Sequence, residues 1–277
     1  MKSKSLPRDP ALHRVAAFME FDLETCEPIE RELVARLRRI GASHTRPAMA
    51  SSLGAEDMVL LHAIASADVA IDVFVIDTGR LHDETLQLLE SARLRYGRPI
   101  EVFRPHHDRV ESFVREHGLN GFYDGVAERH LCCGIRKVEP LARALAGRDA
   151  WLTGQRRAQG PERAGLRLEE IDLERGIAKY NPLAEWSDEA LWRFIARHDV
   201  PVNALHVRGY PSIGCEPCTR AIRPGEDPRA GRWWWEQGQA KECGLHLPAI
   251  VVAHAGASSI VVEHVGASSS LSSTRAA

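Results

Sequence analysis

The sequence predicts an α/β fold in which a parallel sheet is covered by helices on both faces. β-Branched runs such as residues 71–76 alternate with runs whose apolar residues recur at helical spacing. Two loops, at residues 51–57 and 77–82, follow predicted strands directly and are rich in small polar residues and Asp. Because ligands of open parallel sheets bind beyond the carboxyl ends of the strands, these loops mark the expected binding site.

The predicted elements divide the first 210 residues into two parts. Residues 1–46 form an N-terminal helical region, since apolar residues such as Leu33, Leu37 and Ile40 share one helical face, and Gly41 is expected to end that helix. The α/β core follows over residues 47–210. Its predicted strands lie at residues 48–51, 71–76, 100–103 and 150–153, with helices between the first three.

Two further segments follow the core. Residues 211–247 lack periodicity and are dense in Cys, Pro, Arg and Trp, which predicts a Cys-rich C-terminal flap whose Trp run at 233–235 packs onto the sheet. Residues 248–277 form a low-complexity tail, in which IVVAHAGASS at 250–259 is repeated as IVVEHVGASS at 260–269. Because each repeat is β-branched and contains Gly, a short β-hairpin is the alternative to an irregular tail.

Composition and charge narrow the class of protein. The 277 residues carry 36 Lys and Arg against 38 Asp and Glu, so the basic excess typical of nucleic-acid or membrane-surface binding is missing. The sequence shows neither an apolar run of membrane-spanning length nor the apolar segment of a signal peptide, which favours a cytoplasmic protein. Six cysteines are too few for a secreted disulfide scaffold of this length and indicate metal or redox chemistry instead.

Four of the cysteines form the strongest motif. Cys132 and Cys133 are adjacent, and Cys215 and Cys218 form a Cys-x-x-Cys pair. Four thiolates can hold either a tetrahedral zinc ion or an iron–sulfur cluster. Adjacent side chains leave the backbone in different directions, which suits the separated corners of a [4Fe–4S] cluster better than a single ion. The spacing therefore favours the cluster, and zinc stays the alternative.

Three further features suit an anionic substrate. The loop at residues 51–57 offers backbone N–H groups at the start of a helix, where negative charge is favoured. Cys243 stands near Lys241 and His246, neighbours that can lower the pKa of a thiol and make it a nucleophile. Guanidinium and ammonium groups, which suit sulfate and phosphate oxygens, concentrate beside the cysteines and strand ends: Arg136, Lys137, Arg156, Arg157, Arg220, Arg223, Arg229 and Arg232.

Together the motifs resemble a known family. The segments SSLGAED, IDTGRLH, CCGIRKVEP, TGQRR, GCEPCTR, GRWWWE and KECGLH are similar, in chain order, to those of the iron–sulfur-containing branch of the adenylyl-sulfate (APS) and phosphoadenylyl-sulfate (PAPS) reductases. The similarity extends from about residue 47 to residue 246. It implies an adenine-nucleotide α-hydrolase-like fold in which residues 51–57 are a modified pyrophosphate loop.

The resemblance also implies an activity and its residues. The activity is reduction of APS to sulfite and AMP in sulfate assimilation, through a Cys-S-sulfonate on catalytic Cys243 that thioredoxin resolves. A [4Fe–4S] cluster is implied on Cys132, Cys133, Cys215 and Cys218. By position, the expected substrate-binding residues are Ser52, Lys137, Arg163, Arg229, Arg232 and His246. Homo-oligomers are common in the family.

Three other functions stay open at this point. A cluster-containing PAPS reductase, or one that accepts both substrates, differs only in how it treats a 3′-phosphate. A zinc-stabilised binding module would explain the four cysteines and would leave Cys243 and the anion loop without a role. An ATP-cleaving relative that transfers sulfur to tRNA is disfavoured, because its Ser-Gly-Gly-x-Asp-Ser loop is missing here.

Overall fold

The fold is centred on a six-stranded, mostly parallel sheet. The computed structural model describes residues 27–236 and the backbone of two short strands in the tail. The sheet strands are β1 (Pro47–Ser51), β2 (Asp72–Ile76), β3 (Glu101–Phe103), β4 (Ala150–Leu152), β5 (Glu169–Asp172) and β6 (Ile177–Tyr180). Their order is β3-β2-β1-β4-β6-β5, and every pairing is parallel except that of β5 with β6.

Seven α-helices surround this sheet in the described part of the chain. They are α1 (Pro28–Ser43), α2 (Ala55–Ser66), α3 (Asp83–Tyr96), α4 (His107–His117), α5 (Val126–Cys133), α6 (Glu139–Leu145) and α7 (Asp188–Arg197). A π-helical turn, Gly134–Val138, joins α5 to α6. It ends two residues before Pro140, whose missing N–H cannot bond the carbonyl four residues earlier, and such a break in the ladder favours a π turn.

Both faces of the sheet are buried by helices. On one face Met49, Val73 and Leu152 pack with apolar residues of α1, α2, α3 and α7. On the other face the neighbouring strand residues Phe74 and Trp151 pack with α6. Successive strand residues point to opposite faces, so this division follows from the strand period of two. The predicted parallel α/β fold is confirmed.

The N-terminal helix continues two residues past its predicted end. Gly41 lies inside α1, which runs to Ser43, so the prediction that Gly41 ends the helix is wrong. A Cβ atom at Gly41 would lie 2.7 Å from Cγ1 of Val69. Glycine is therefore used here for close packing of α1 against the segment before β2. Residues 1–26 of the predicted helical region lie outside the described residues.

The edge of the sheet has a strand pairing that periodicity did not predict, and the tail contains a short strand pair. Strands β5 and β6 form an antiparallel hairpin that extends the parallel core beyond β4. In the tail, β7 (Ile250–Val251) pairs antiparallel with β8 (Val262–Glu263), so part of each repeat takes the hairpin alternative. The remaining tail residues lie outside the described part. Among the described residues, no helix has the length and apolar character needed to cross a bilayer.

Candidate functional site

A cavity of about 440 Å³ lies at the carboxyl ends of β1, β2 and β4. Its walls come from the loop at residues 51–57, the loop after β2, the segment after β4 and the flap from residue 211 onward. Five of the predicted substrate-binding residues line it together with one predicted cluster ligand: Ser52, Lys137, Arg163, Arg229, Arg232 and Cys215. Residues from five separate parts of the sequence thus meet in one cavity, at the edge of the sheet that the fold class predicts.

The loop after β1 is held by its own side chains. Asp57, in the first turn of α2, accepts hydrogen bonds from the backbone N–H and the hydroxyl of Ser52, each 2.6 Å long. Leu53 is buried and adopts a positive φ of 60°, a conformation that a branched residue takes only under constraint. Burial raises the pKa of Asp57 to about 6, although the hydrogen bonds from Ser52 act in the opposite direction.

The loop after β2 connects the sheet to the flap. Leu81 forms an antiparallel bridge with Cys215, and the N–H of Glu216 donates to the carbonyl of Arg80 at 2.8 Å. On the other side of this loop, the buried guanidinium of Arg136 donates to the carbonyl of Thr78 at 2.8 Å. The loop therefore fixes the Cys-x-x-Cys segment and the helical segment after Cys133 relative to one another.

The four predicted cluster ligands are brought together. Cys132, Cys133, Cys215 and Cys218 are 7–9% exposed and share one apolar cluster with Phe113, Phe122 and Trp233. The Cys pair occupies the last turn of α5, where the helix passes into the π turn, and Cys218 belongs to a short 3-10 turn. The hydroxyl of Thr78 lies 3.3 Å from the Cys215 sulfur.

The thiols sit close enough to influence one another. Burial, together with the neighbouring Cys215 and Cys132, raises the pKa of Cys218 to about 12, although the charges of Lys137 and Arg232 act in the opposite direction. Burial also raises the pKa of Cys132, against the charge of Arg136. Within residues 27–236 no group of three or more His, Cys, Asp or Glu side chains is arranged to hold a single metal ion. Four soft sulfur donors in one buried, apolar volume nevertheless fit an iron–sulfur cluster, which is larger than an ion and takes each thiolate at a separate corner.

Trp233 fixes the flap against the cysteine cluster. Its ring lies between two guanidinium groups, those of Arg129 and Arg232, each 4.6 Å from the ring centroid. The backbone N–H of Trp233 donates to the carbonyl of Cys218 at 3.1 Å, and the residue's φ of 43° turns the chain sharply. The prediction that the Trp run packs onto the sheet is wrong for Trp233. This residue packs with the four cysteines, with Phe113 of α4 and with Phe122.

The cationic residues of the cavity are held by the surrounding loops. Arg232 is buried and contacts the hydroxyl of Ser212 at 3.3 Å. Arg229 is half-buried, with Nε 3.7 Å from a carboxylate oxygen of Glu162. Lys137 belongs to the π turn and is half-buried at the cavity wall. The charges of Lys137 and Arg232 both act to lower the pKa of Cys218, so these two groups stand close to the cysteines and suit an anion there, whereas Arg229 is paired with Glu162.

Arg156 and Arg157 do not have the role that their position in the sequence suggests. Arg156 is buried and donates twice to one oxygen of Glu56, at 3.0 and 2.7 Å, and once to Asp188 at 2.7 Å. Arg157 lies outside the cavity wall and donates to the carbonyl of Leu166. Arg156 therefore neutralises carboxylates of the protein, and this end of the cavity is lined by acidic as well as basic groups.

The network around Glu56 was missed at the level of sequence. Gln159 donates to Glu56 at 2.9 Å and accepts from Arg163, so the carboxylate and the predicted ligand Arg163 are joined through one amide. The partners are about a hundred residues apart in the chain. The Glu-Asp pair at the end of SSLGAED was the available signal, but nothing in the spacing shows what a carboxylate there contacts. Cys243 and His246 lie outside the described residues.

Comparison with known proteins agrees with this geometry. The family model described as phosphoadenosine phosphosulfate reductase domain matches residues 46–221. The chain belongs to that family. It is 58% identical over 236 residues to an adenosine 5′-phosphosulfate reductase of Burkholderia cepacia, covering 85% of this chain and 94% of that protein. A relative of the same name from Allochromatium vinosum is 55% identical over 245 residues, covering 88% and 90%.

A solved structure supports the same fold. The phosphoadenylyl-sulfate reductase from Candida auris, crystallised as a phosphate complex, superimposes with a TM-score of 0.58 at 26% identity. The match covers 80% of this chain and 100% of that one. The resemblance found in the motifs is therefore confirmed at the level of family and fold.

Proposed function

We propose that this protein is a thioredoxin-dependent reductase of adenylyl sulfate, which it converts to sulfite and AMP in sulfate assimilation. The observation that carries the proposal is the cavity, whose wall contains Lys137, Arg229 and Arg232 together with Cys215. Relatives that match most of the chain at 55–58% identity bear the name adenosine 5′-phosphosulfate reductase. A cationic pocket at the carboxyl edge of a nucleotide-binding sheet is what a phosphosulfate group requires.

The first half-reaction takes place on Cys243. Its thiolate attacks the sulfur of the phosphosulfate, the S–O bond to the phosphate breaks, and AMP leaves with that electron pair. The product on the protein is a Cys-S-sulfonate. Lys137, Arg229 and Arg232 stabilise the charge that develops on the sulfonate and phosphate oxygens, and His246 joins them by the family resemblance. Cys243 follows Trp233, a residue of the cavity wall, by ten residues, a length of chain that spans at most about 33–36 Å.

The second half-reaction needs a dithiol, which thioredoxin supplies. A thioredoxin thiolate attacks the Cys243 sulfur, and sulfite leaves with the S–S electron pair. The second thioredoxin thiol then resolves the mixed disulfide and returns Cys243 as a thiolate. Thioredoxin is thereby oxidised to its disulfide, and its two electrons account for the reduction of the sulfur.

We propose that Cys132, Cys133, Cys215 and Cys218 hold a [4Fe–4S] cluster. Their shared burial supports this, as does the position of Cys215 at both the cysteine cluster and the cavity wall. When bound, the cluster would supply a fixed charge beside the cationic end of the cavity and would tie α5 to the flap. A cytoplasmic location follows from this cofactor and from the reducing partner, both of which belong to a reducing compartment.

The mass of the intact protein after exposure to substrate tests the proposed function. Anaerobically purified protein is incubated with APS, or separately with PAPS, without thioredoxin, and the Cys243 peptide is analysed. We expect one added sulfonate from APS on wild-type protein, none on Cys243→Ser, and an unchanged result on the control Cys26→Ser. Equal labelling by PAPS would make this a dual-specificity enzyme. No adduct from either substrate, in protein whose iron and sulfide content is intact, would refute the proposal, and zinc in place of iron would refute the cluster.

A further inference from the structure

The loop at residues 51–57 carries its own anionic partner. The backbone N–H and the hydroxyl of Ser52 both donate hydrogen bonds to one oxygen of Asp57, each 2.6 Å long. These are the donors that an anion-binding loop would offer to a ligand. The next N–H, that of Leu53, donates to the Ser51 hydroxyl at 3.1 Å. A second anion placed over this loop would find these donors engaged and would face the carboxylate at short range.

The other oxygen of Asp57 faces the segment after β4. A Cβ atom at Gly154 would lie 2.3 Å from that oxygen, which means that the Gly154 backbone approaches Asp57 as closely as only glycine allows. The Gly154 N–H also stabilises the ionised carboxylate. Because β1 and β4 are neighbours in the sheet, Asp57 joins the two loops that leave adjacent strands beneath the cavity.

Burial of the charged Asp57 carboxylate lowers the stability of the fold. Asp57 is 6% exposed, and a carboxyl group in this position is more easily accommodated when it is neutral, as its raised pKa of about 6 shows. An Asn would avoid that cost, but its single oxygen could not accept from Ser52 on one side and from Gly154 on the other. The arrangement thus favours loop geometry over stability, which is common where a ligand binds.

We propose that Asp57 is a positioning residue for nucleotide binding: it shapes the loops at Ser52 and Gly154 to hold the nucleoside, and the loop does not bind the phosphosulfate. The anionic group then binds at the other end of the cavity, where Lys137 and Arg232 stand near Cys215. Ser52, expected by resemblance to bind the substrate, acts here through Asp57. This inference rests on the proposed function to the extent that the ligand is an adenine nucleotide.

Calorimetric titration with two ligands that differ only in the phosphate tests the inference. AMP and adenosine are titrated into anaerobic full-length protein as wild type, Ser52→Ala, Asp57→Asn and the double variant. If the loop shapes the nucleoside site, each single change lowers the affinity for AMP and the affinity for adenosine by the same factor, about ten- to a hundred-fold. The double variant should bind no more weakly than Asp57→Asn, because both changes remove one interaction. The matched control is Asp68→Asn, which removes an exposed carboxylate at the end of α2.

Two results would overturn the inference. If Ser52→Ala lowers the affinity for AMP far more than the affinity for adenosine, the loop contacts the phosphate directly. If Asp57→Asn lowers the thermal midpoint as well as the affinity, Asp57 stabilises the fold and has no specific role in ligand binding. We expect instead a midpoint equal to or above that of wild type. Wild-type protein that binds AMP but leaves APS unchanged would refute the proposed function while leaving the inference about Asp57 standing.

Discussion

The pair formed by Arg129 and Glu236 is expected to be the most sensitive ion pair in the flap. Their side chains are 1% and 8% exposed, and Arg129 also stacks on Trp233. Glu236→Ala leaves the Arg129 charge buried without its carboxylate, a change that costs about 3–5 kcal/mol in comparable pairs. At about 2–4 °C per kcal/mol for a chain of this size, the thermal midpoint should fall by roughly 6–20 °C.

The assay compares thermal midpoints of anaerobic protein with intact iron content. Glu32→Ala serves as the control, because Glu32 pairs with Arg36 on the exposed surface of α1 and should change stability by less than about 0.5 kcal/mol. A double variant, Arg129→Met with Glu236→Met, removes both charges and should be less destabilised than Glu236→Ala alone. If Glu236→Ala melts within a degree or two of the Glu32 control, buried charge does not hold the flap and the reasoning fails.

Three further changes test other parts of the site. Gly154→Ala places a Cβ atom 2.3 Å from the carboxylate below it and should cost about 1–3 kcal/mol and raise KM, whereas Gly165→Ala, with open space around it, should do neither. Arg156→Lys loses the planar guanidinium that bridges two carboxylates and should lower the free energy of unfolding by about 2 kcal/mol. The same change at the exposed Arg157 should alter that free energy little. Burial lowers the pKa of His62 to about 3, so the folded state binds fewer protons than the unfolded state between pH 6.5 and 3. Stability is therefore lost as pH falls, and between pH 8 and pH 5 wild type should lose about 2 kcal/mol more than His62→Gln in urea unfolding.

Local patterns account for much of the fold. The β-branched run at residues 71–76 and the helical face of Leu33, Leu37 and Ile40 appear as β2 and α1, because period and burial decide both elements. Gly41 shows the limit of such reasoning. A glycine near the end of an apolar pattern is typical of a helix terminus, but here its lack of a side chain admits Val69, a contact that sequence spacing does not reveal.

The candidate site divides in the same way. That the four cysteines come together could be predicted, because closely spaced cysteines in a reducing compartment usually bind a metal or a cluster. The role of Arg156 could not, since its charge is taken up by Glu56 and Asp188, which lie 100 and 32 residues away. Nor does the sequence show that Leu53 has a positive φ or that Asp57 faces Gly154. Such facts depend on which loops the sheet order brings together.

The distribution of charge explains how one cavity can serve both a nucleoside and a reactive anion. Beside the cysteines, Lys137 and Arg232 present positive charge in the part of the wall that contains Cys215. At the end formed by β1 and β4, the carboxylates of Glu56 and Asp57 are bound to Arg156 and Ser52 and leave little attraction for a phosphate. An anionic ligand is therefore drawn toward the flap and away from the sheet. Under the proposed function, that polarity orients the substrate with its phosphosulfate group toward the cysteines before any chemistry begins.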